Sequence, residues 1–167
     1  MPISVRNVIM NLDALDIKAF TTNAVHEVFK TMLSMEVVPA GDGSPDGFDG
    51  TRVVGSVSFA GKVLGNISIH MNEAFARVMT AVMLGMEEEE VQGEEDVNDV
   101  IGEMSNMIGG NLKSRLCDAG LRCDLSIPNI TCGTSFHIEC RNWARHERLD
   151  FHYGPHAVAV EVCIKEA

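Results

Sequence analysis

Asp99, Glu103, Asn106 and Gly110 stand four, three and four residues apart. At about 100° per residue this spacing gathers them into a stripe roughly 60° wide on one face of a helix. A carboxamide both donates and accepts hydrogen bonds, so Asn106 can orient a water without adding negative charge beside it. Glu103, one turn away, adds an acid to the same face, and Gly110 adds a place without a side chain.

A simpler account is available, since any helix lying over a sheet has a polar outer face. Asp99 then only supports a helix start near a cap at Asp96. Two details count against that account. Gly109 and Gly110 sit inside a helical pattern, where each costs about 1 kcal/mol relative to alanine, so a reason for close approach is wanted. Met107 and Val100 flank the stripe on its exposed shoulder and offer apolar contact around polar groups, as the centre of a protein interface does.

The element that must carry these residues is a long helix from about Asp96 to Ala119, with Gly120 as its stop. Val97, Ile101, Met104, Ile108 and Leu112 fall together on its other side and mark the face that packs on a sheet. Upstream, Ile17 to Met35 reads as a helix with Phe20, Ala24, Val28, Met32 and Met35 along an apolar stripe. Pro39 to Gly50 is a breaker-rich loop, and Arg52 to Ala60 and Val63 to Met71 form a hairpin turning at Gly61 and Lys62. Glu73 to Leu84 is a short helix with Phe75, Val78, Met79 and Val82 inward. Gly85 to Gly93, with the run Glu87 to Glu90, is a solvated connector. Strands are expected at Leu121 to Ile127, Gly133 to Cys140, His146 to Tyr153 and Ala157 to Ile164. The order suggests an α+β fold of two unequal pseudo-repeats of helix plus strands, with long helices on a mainly antiparallel sheet.

At 167 residues, 46% apolar and 22% charged, residues 1–167 are expected to form a single domain with its own core. The net charge of −11 argues against nucleic acid or an anionic membrane surface as partner. Met1 to Asp16 lacks the apolar core of about 7 to 15 residues that a signal peptide needs, and no run approaches the roughly 18 of a membrane span. A cytoplasmic location follows as the expectation. Cys117, Cys123, Cys132, Cys140 and Cys163 form no C-x-x-C pair, so reduced, buried thiols are the default. His152 and His156 have helical ligand spacing, but Gly154 and Pro155 between them argue for a turn, and no metal site is expected.

The segment Asp99-Val-Ile-Gly-Glu103-Met-Ser-Asn106-Met-Ile-Gly-Gly110 resembles the D/S-x-x-x-E-x-x-N-x-x-x-G signature of the CheC, CheX and FliY phosphatases, and Asn111, Lys113 and Ser114 continue the family's text. The resemblance is greatest to CheX, because one good copy is present. Setting Glu27 against Glu103 puts Asn23, Lys30 and Ser34 at the other motif positions, which reads as a non-functional counterpart. The resemblance implies a CheC-like fold and a substrate, the aspartyl phosphate of a phosphorylated CheY-like receiver domain. It makes Asn106 the residue that positions the attacking water and Glu103 the partner of the receiver's lysine. It makes Asp99 helix support and Gly110 clearance for the partner's backbone, and these two, with Met107 from the shoulder of the stripe, are the expected partner-binding positions. No cofactor is expected in this chain, because the receiver supplies the Mg²⁺. A homodimer joined edge to edge through its sheets is also implied, and Ala157 to Ile164 is apolar enough to want cover if it lies at an edge. The alternative is a non-catalytic receiver-binding or flagellar-switch scaffold, which the intact Glu103 and Asn106 weigh against.

Overall fold

A computed structural model describes residues 11–41 and 48–167. Half of the loop expected at 39–50, residues 42–47, lies outside the described residues, and Pro39 belongs to a short strand instead. Three helices, α1 (Ile17–Leu33), α2 (Glu73–Leu84) and α3 (Glu94–Asp118), accompany seven strands: β1 (Val38–Pro39), β2 (Arg52–Gly61), β3 (Val63–Asn72), β4 (Cys123–Leu125), β5 (Asn129–Gly133), β6 (Arg145–Tyr153) and β7 (His156–Glu166). The strands form one antiparallel sheet in the order β1-β6-β7-β3-β2-β4, with β5 also paired to β2.

Local chemistry accounts for the helix ends. Asp16 caps α1 by accepting from the Ala19 N–H at 2.9 Å, and Asn72 caps α2 by accepting from Phe75 at 3.0 Å. Gly85 closes α2 in the left-handed conformation at φ 65°, where a side chain would be strained. The cap expected at Asp96 is not there. α3 begins two residues earlier after Gly93, without a side-chain cap, and Glu94, Glu95 and Asp96 fill its first turn where the helix dipole favours acids.

Side-chain alternation assigns the two faces of the sheet. Val53, Gly55, Val57 and Phe59 of β2 face α3, because a Cβ on Gly55 would overlap the Ser105 hydroxyl. By register, Ile67 and Ile69 of β3 and Val160 and Val162 of β7 share that side, and all four are buried. With Phe29, Phe75, Met79 and Ile101 they form one cluster, each large side chain contributing about 1.5–3 kcal/mol by burial.

Three expectations need correction. Val82 of α2 is 45% exposed although helix periodicity puts it on the same side as Phe75 and Met79, because it stands in the last turn of the helix, two residues before its end at Leu84. Gly133 to Cys140 is not a strand. Pairing with β2 comes instead from Asn129–Gly133, and residues 134–144 run across the other face of the sheet. There the Phe136 ring lies 4.0 Å from the Arg52 guanidinium carbon, and Arg52 donates to the Phe136 carbonyl at 2.7 Å. β7 is not an edge either, being paired along its length with β3 on one side and β6 on the other. The turn expected at Gly154 and Pro155 does join β6 to β7, and beside it the His156 ring stacks on Phe75 at 4.8 Å. No helix among the described residues is long and apolar enough to cross a membrane.

Candidate active site

The buried arc of α3 runs from Val100 through Met104, Val97, Ile108, Ile101, Leu112, Ser105 and Leu116 to Gly109 and Gly102. At about 100° per residue that is more than half its circumference. Val100 therefore does not sit on an exposed shoulder: it is 5% exposed, because α1 and α2 pack against α3 as well as the sheet does. What remains outside is a narrow strip. Asp99, Glu103 and Asn106 are exposed on it, with Gly110 half-buried among them and Met107 half-buried at its border.

Two of the small residues in α3 explain how closely it lies on the sheet. A Cβ on Gly109 would overlap a methyl of Val57, so this glycine answers a packing demand rather than a partner. Ser105 is buried opposite Gly55 and returns its hydroxyl to the Ile101 carbonyl at 2.7 Å, which leaves no polar group unpaired there. Gly110 differs. A Cβ there would meet only Leu125 at 3.9 Å, so sheet packing does not require this glycine.

Gly110, Met107, Asn111 and Ser114 instead line a shallow groove of about 340 Å³ together with Glu27, Val28 and Thr31 of α1. Two of its lining residues bridge the helices. Asn111 donates to Glu27 Oε2 at 2.8 Å, and Arg115 donates to Asn111 Oδ1 at 3.1 Å. Glu27, the residue set against Glu103 by sequence, thus directs its carboxylate into the contact between helices. Glu103 and Asn106 make no hydrogen bond or ion pair with any described residue, so both polar groups point outward uncommitted.

Sequence reasoning did not find the Asn111–Glu27–Arg115 network, since only the packing of α1 beside α3 brings residues 84 positions apart into contact. It also missed a set of buried polar groups on the far face of the sheet: Ser68, His70 and Glu161. Ser68 Oγ lies 3.0 Å from His70 Nε2. Burial first, then the positive charges of Arg52 and Arg148, lower His70 from 6.5 to about 4. The default of five reduced thiols is likewise corrected. Cys140 and Cys163 are joined as a disulfide, while Cys117, Cys123 and Cys132 are free. A separation of 23 residues could not show that residues 134–144 cross over β7.

Residues 53–152 match the family model described as chemotaxis phosphatase CheX. No curated protein matches the chain significantly by sequence. Among solved structures, a chemotaxis protein CheX from Vibrio vulnificus superposes with a TM-score of 0.78 at 24% identity, covering 90% of this chain and 97% of that one. The CheX-CheY-BeF3-Mg complex from Borrelia burgdorferi gives 0.71 at 22% identity, with 90% and 99% covered. FliY from Thermotoga maritima gives 0.63 at 15% identity, with 88% and 85% covered. These likenesses bear on the fold. The family match spans more than half of the sequence, and on that ground the chain belongs to the chemotaxis phosphatase CheX family.

Proposed function

We propose that this chain is a phosphatase of a phosphorylated CheY-like receiver domain, and that the outer strip of α3 is its active surface. The observation that carries the reading is the state of two side chains. Glu103 and Asn106 stand exposed and unengaged one turn apart, on a helix whose opposite arc is buried in the core.

The substrate would be the mixed anhydride of an aspartate and phosphate. Its hydrolysis forms a bond from water oxygen to phosphorus while the bond from phosphorus to the aspartate oxygen breaks. Positioning that water is the main requirement, and a neutral carboxamide at Asn106 meets it without placing a negative charge beside the phosphoryl group. Glu103 serves docking and orientation by pairing with the receiver's lysine. As a general base it would stand beside an anion, which disfavours that role. The Mg²⁺ belongs to the receiver, in keeping with a related CheX having been crystallised with CheY, BeF3 and Mg. Asp99 and Gly110 border the contact, and Met107 supplies its apolar part.

A cytoplasmic location and a homodimer are parts of the same proposal. With β7 internal, β1 and the β4/β5 side of β2 are the sheet edges among the described residues, so a second copy would pair there. Phosphate release from a phosphorylated receiver, with and without catalytic amounts of this chain, tests the central claim. Acceleration that is lost in Asn106→Ala supports it, whereas a chain that only binds and protects the phosphoryl group would reject it.

A further inference from the structure

The face of the sheet away from the helices holds a cluster that receiver dephosphorylation leaves without a task. Donor atoms of Cys140, His146 and Cys163 lie within 4.8 Å of one another. Glu161 adds a fourth donor, its Oε2 lying 3.6 Å from His146 Nε2 and 4.0 Å from Cys140 Sγ. Its side chain is 10% exposed, and its other oxygen lies 3.6 Å from Arg148.

Three of the four donors sit on a rigid ladder. His146 is the register partner of Cys163, and Arg148 is the register partner of Glu161. Cys140 comes from residues 134–144, which have no regular structure and lie over this face. In a tetrahedral zinc site the metal stands about 2.3 Å from sulfur and about 2.0–2.2 Å from nitrogen or oxygen, so donor atoms lie about 3.3–3.8 Å apart. The carboxylate-to-imidazole and carboxylate-to-sulfur separations are already close to that spacing. The Cα separation of 6.5 Å between the cysteines leaves room for two thiolates at it.

Charge fits both states of the sulfurs. As a disulfide, the cluster sets the Glu161 carboxylate against Arg148. As two thiolates, it adds two negative charges, which a divalent cation cancels.

We propose that Cys140, Cys163, His146 and Glu161 form a redox-gated site for a zinc-class divalent cation, closed by the disulfide when oxidised and open to the metal when reduced. A dithiol reductant gives two electrons and two protons to the disulfide, becomes a disulfide itself, and leaves two thiols. Metal binding then displaces both thiol protons. Either state ties residues 134–144 to β7.

The full chain, reduced anaerobically and freed of reductant, is titrated with Co²⁺ and then with Zn²⁺. One Co²⁺ per chain is expected, with thiolate-to-metal charge transfer and tetrahedral ligand-field absorption that Zn²⁺ abolishes. The oxidised chain should show three titratable thiols when denatured and bind no Co²⁺ in this way. His146→Ala alters a side chain that is 48% exposed, should keep the circular dichroism of the fold, and should weaken binding about tenfold or more. Cys117→Ser should leave binding unchanged. The proposal is overturned by a reduced chain without the charge-transfer band, by a Co²⁺ affinity that is unchanged in His146→Ala, by a band that Cys117→Ser removes, or by five titratable thiols in the oxidised chain. Should Cys140→Ser or Cys163→Ser fail to fold, His146→Ala and the thiol count decide the question.

Discussion

Asn111 on α3 donates to the Glu27 carboxylate on α1 across 2.8 Å, tying the two helices together beside the strip that carries Glu103 and Asn106. Arg115 extends the tie by donating to Asn111 Oδ1. The Glu27 side chain is 61% exposed, so solvent screens the charge and the bond is worth about 0.5–1.5 kcal/mol. A double-mutant cycle on Glu27→Ala and Asn111→Ala, read by urea unfolding, should give a coupling in that range. Strict additivity of the two changes would mean that the contact does not hold the helices together.

Asn106→Ala should leave receiver affinity nearly unchanged while cutting the rate about 10²-fold, the scale on which misplacing a reactant acts. Glu103→Ala should weaken binding and rate together, because it removes a contact that orients the receiver. Kinetics over a range of phosphorylated receiver concentrations separates the two patterns. Undiminished turnover in Asn106→Ala would remove the assignment.

The adjacent glycines should respond in opposite directions. Gly109→Ala gains about 1 kcal/mol of helix propensity but drives a methyl into Val57, and such overpacking costs about 1–3 kcal/mol, so a net loss of stability is expected. Gly110→Ala has space and should stabilise by up to about 1 kcal/mol, yet weaken receiver binding if the groove receives the partner. Denaturation midpoints paired with a binding titration test both halves.

His70 should make the chain sensitive to acid. Its folded pKa, about 4, lies below its ordinary 6.5, so the folded chain takes up this proton less readily than the unfolded one. The associated stability is complete above pH of about 6.5 and is lost as pH falls toward about 4, amounting to about 3 kcal/mol. Unfolding measured across that window should show the slope in the native chain and a flatter one in His70→Gln. Equal slopes in both would assign the acid sensitivity elsewhere.

Helix periodicity is a local property, and the residues it concerns were legible from the sequence: the bounds of α2, the core face of α3, and the outward stripe holding Asp99, Glu103 and Asn106. The hairpin of β2 and β3 was legible for the same reason, since Gly61 and Lys62 announce its turn to the nearest residues. Contacts between distant segments were not. Val100 is covered because other helices flank α3, and β7 is internal because β6 folds back along it while β3 holds its other side. Cys140 meets Cys163 because residues 134–144 cross the sheet instead of joining it. Apolar alternation says that a strand buries one face, but carries no information about which strand lies beside it. The sequence alone therefore determined which side of α3 faces outward, and only the tertiary structure decided that Glu103 and Asn106 stand uncommitted while their counterpart Glu27 is bound to Asn111.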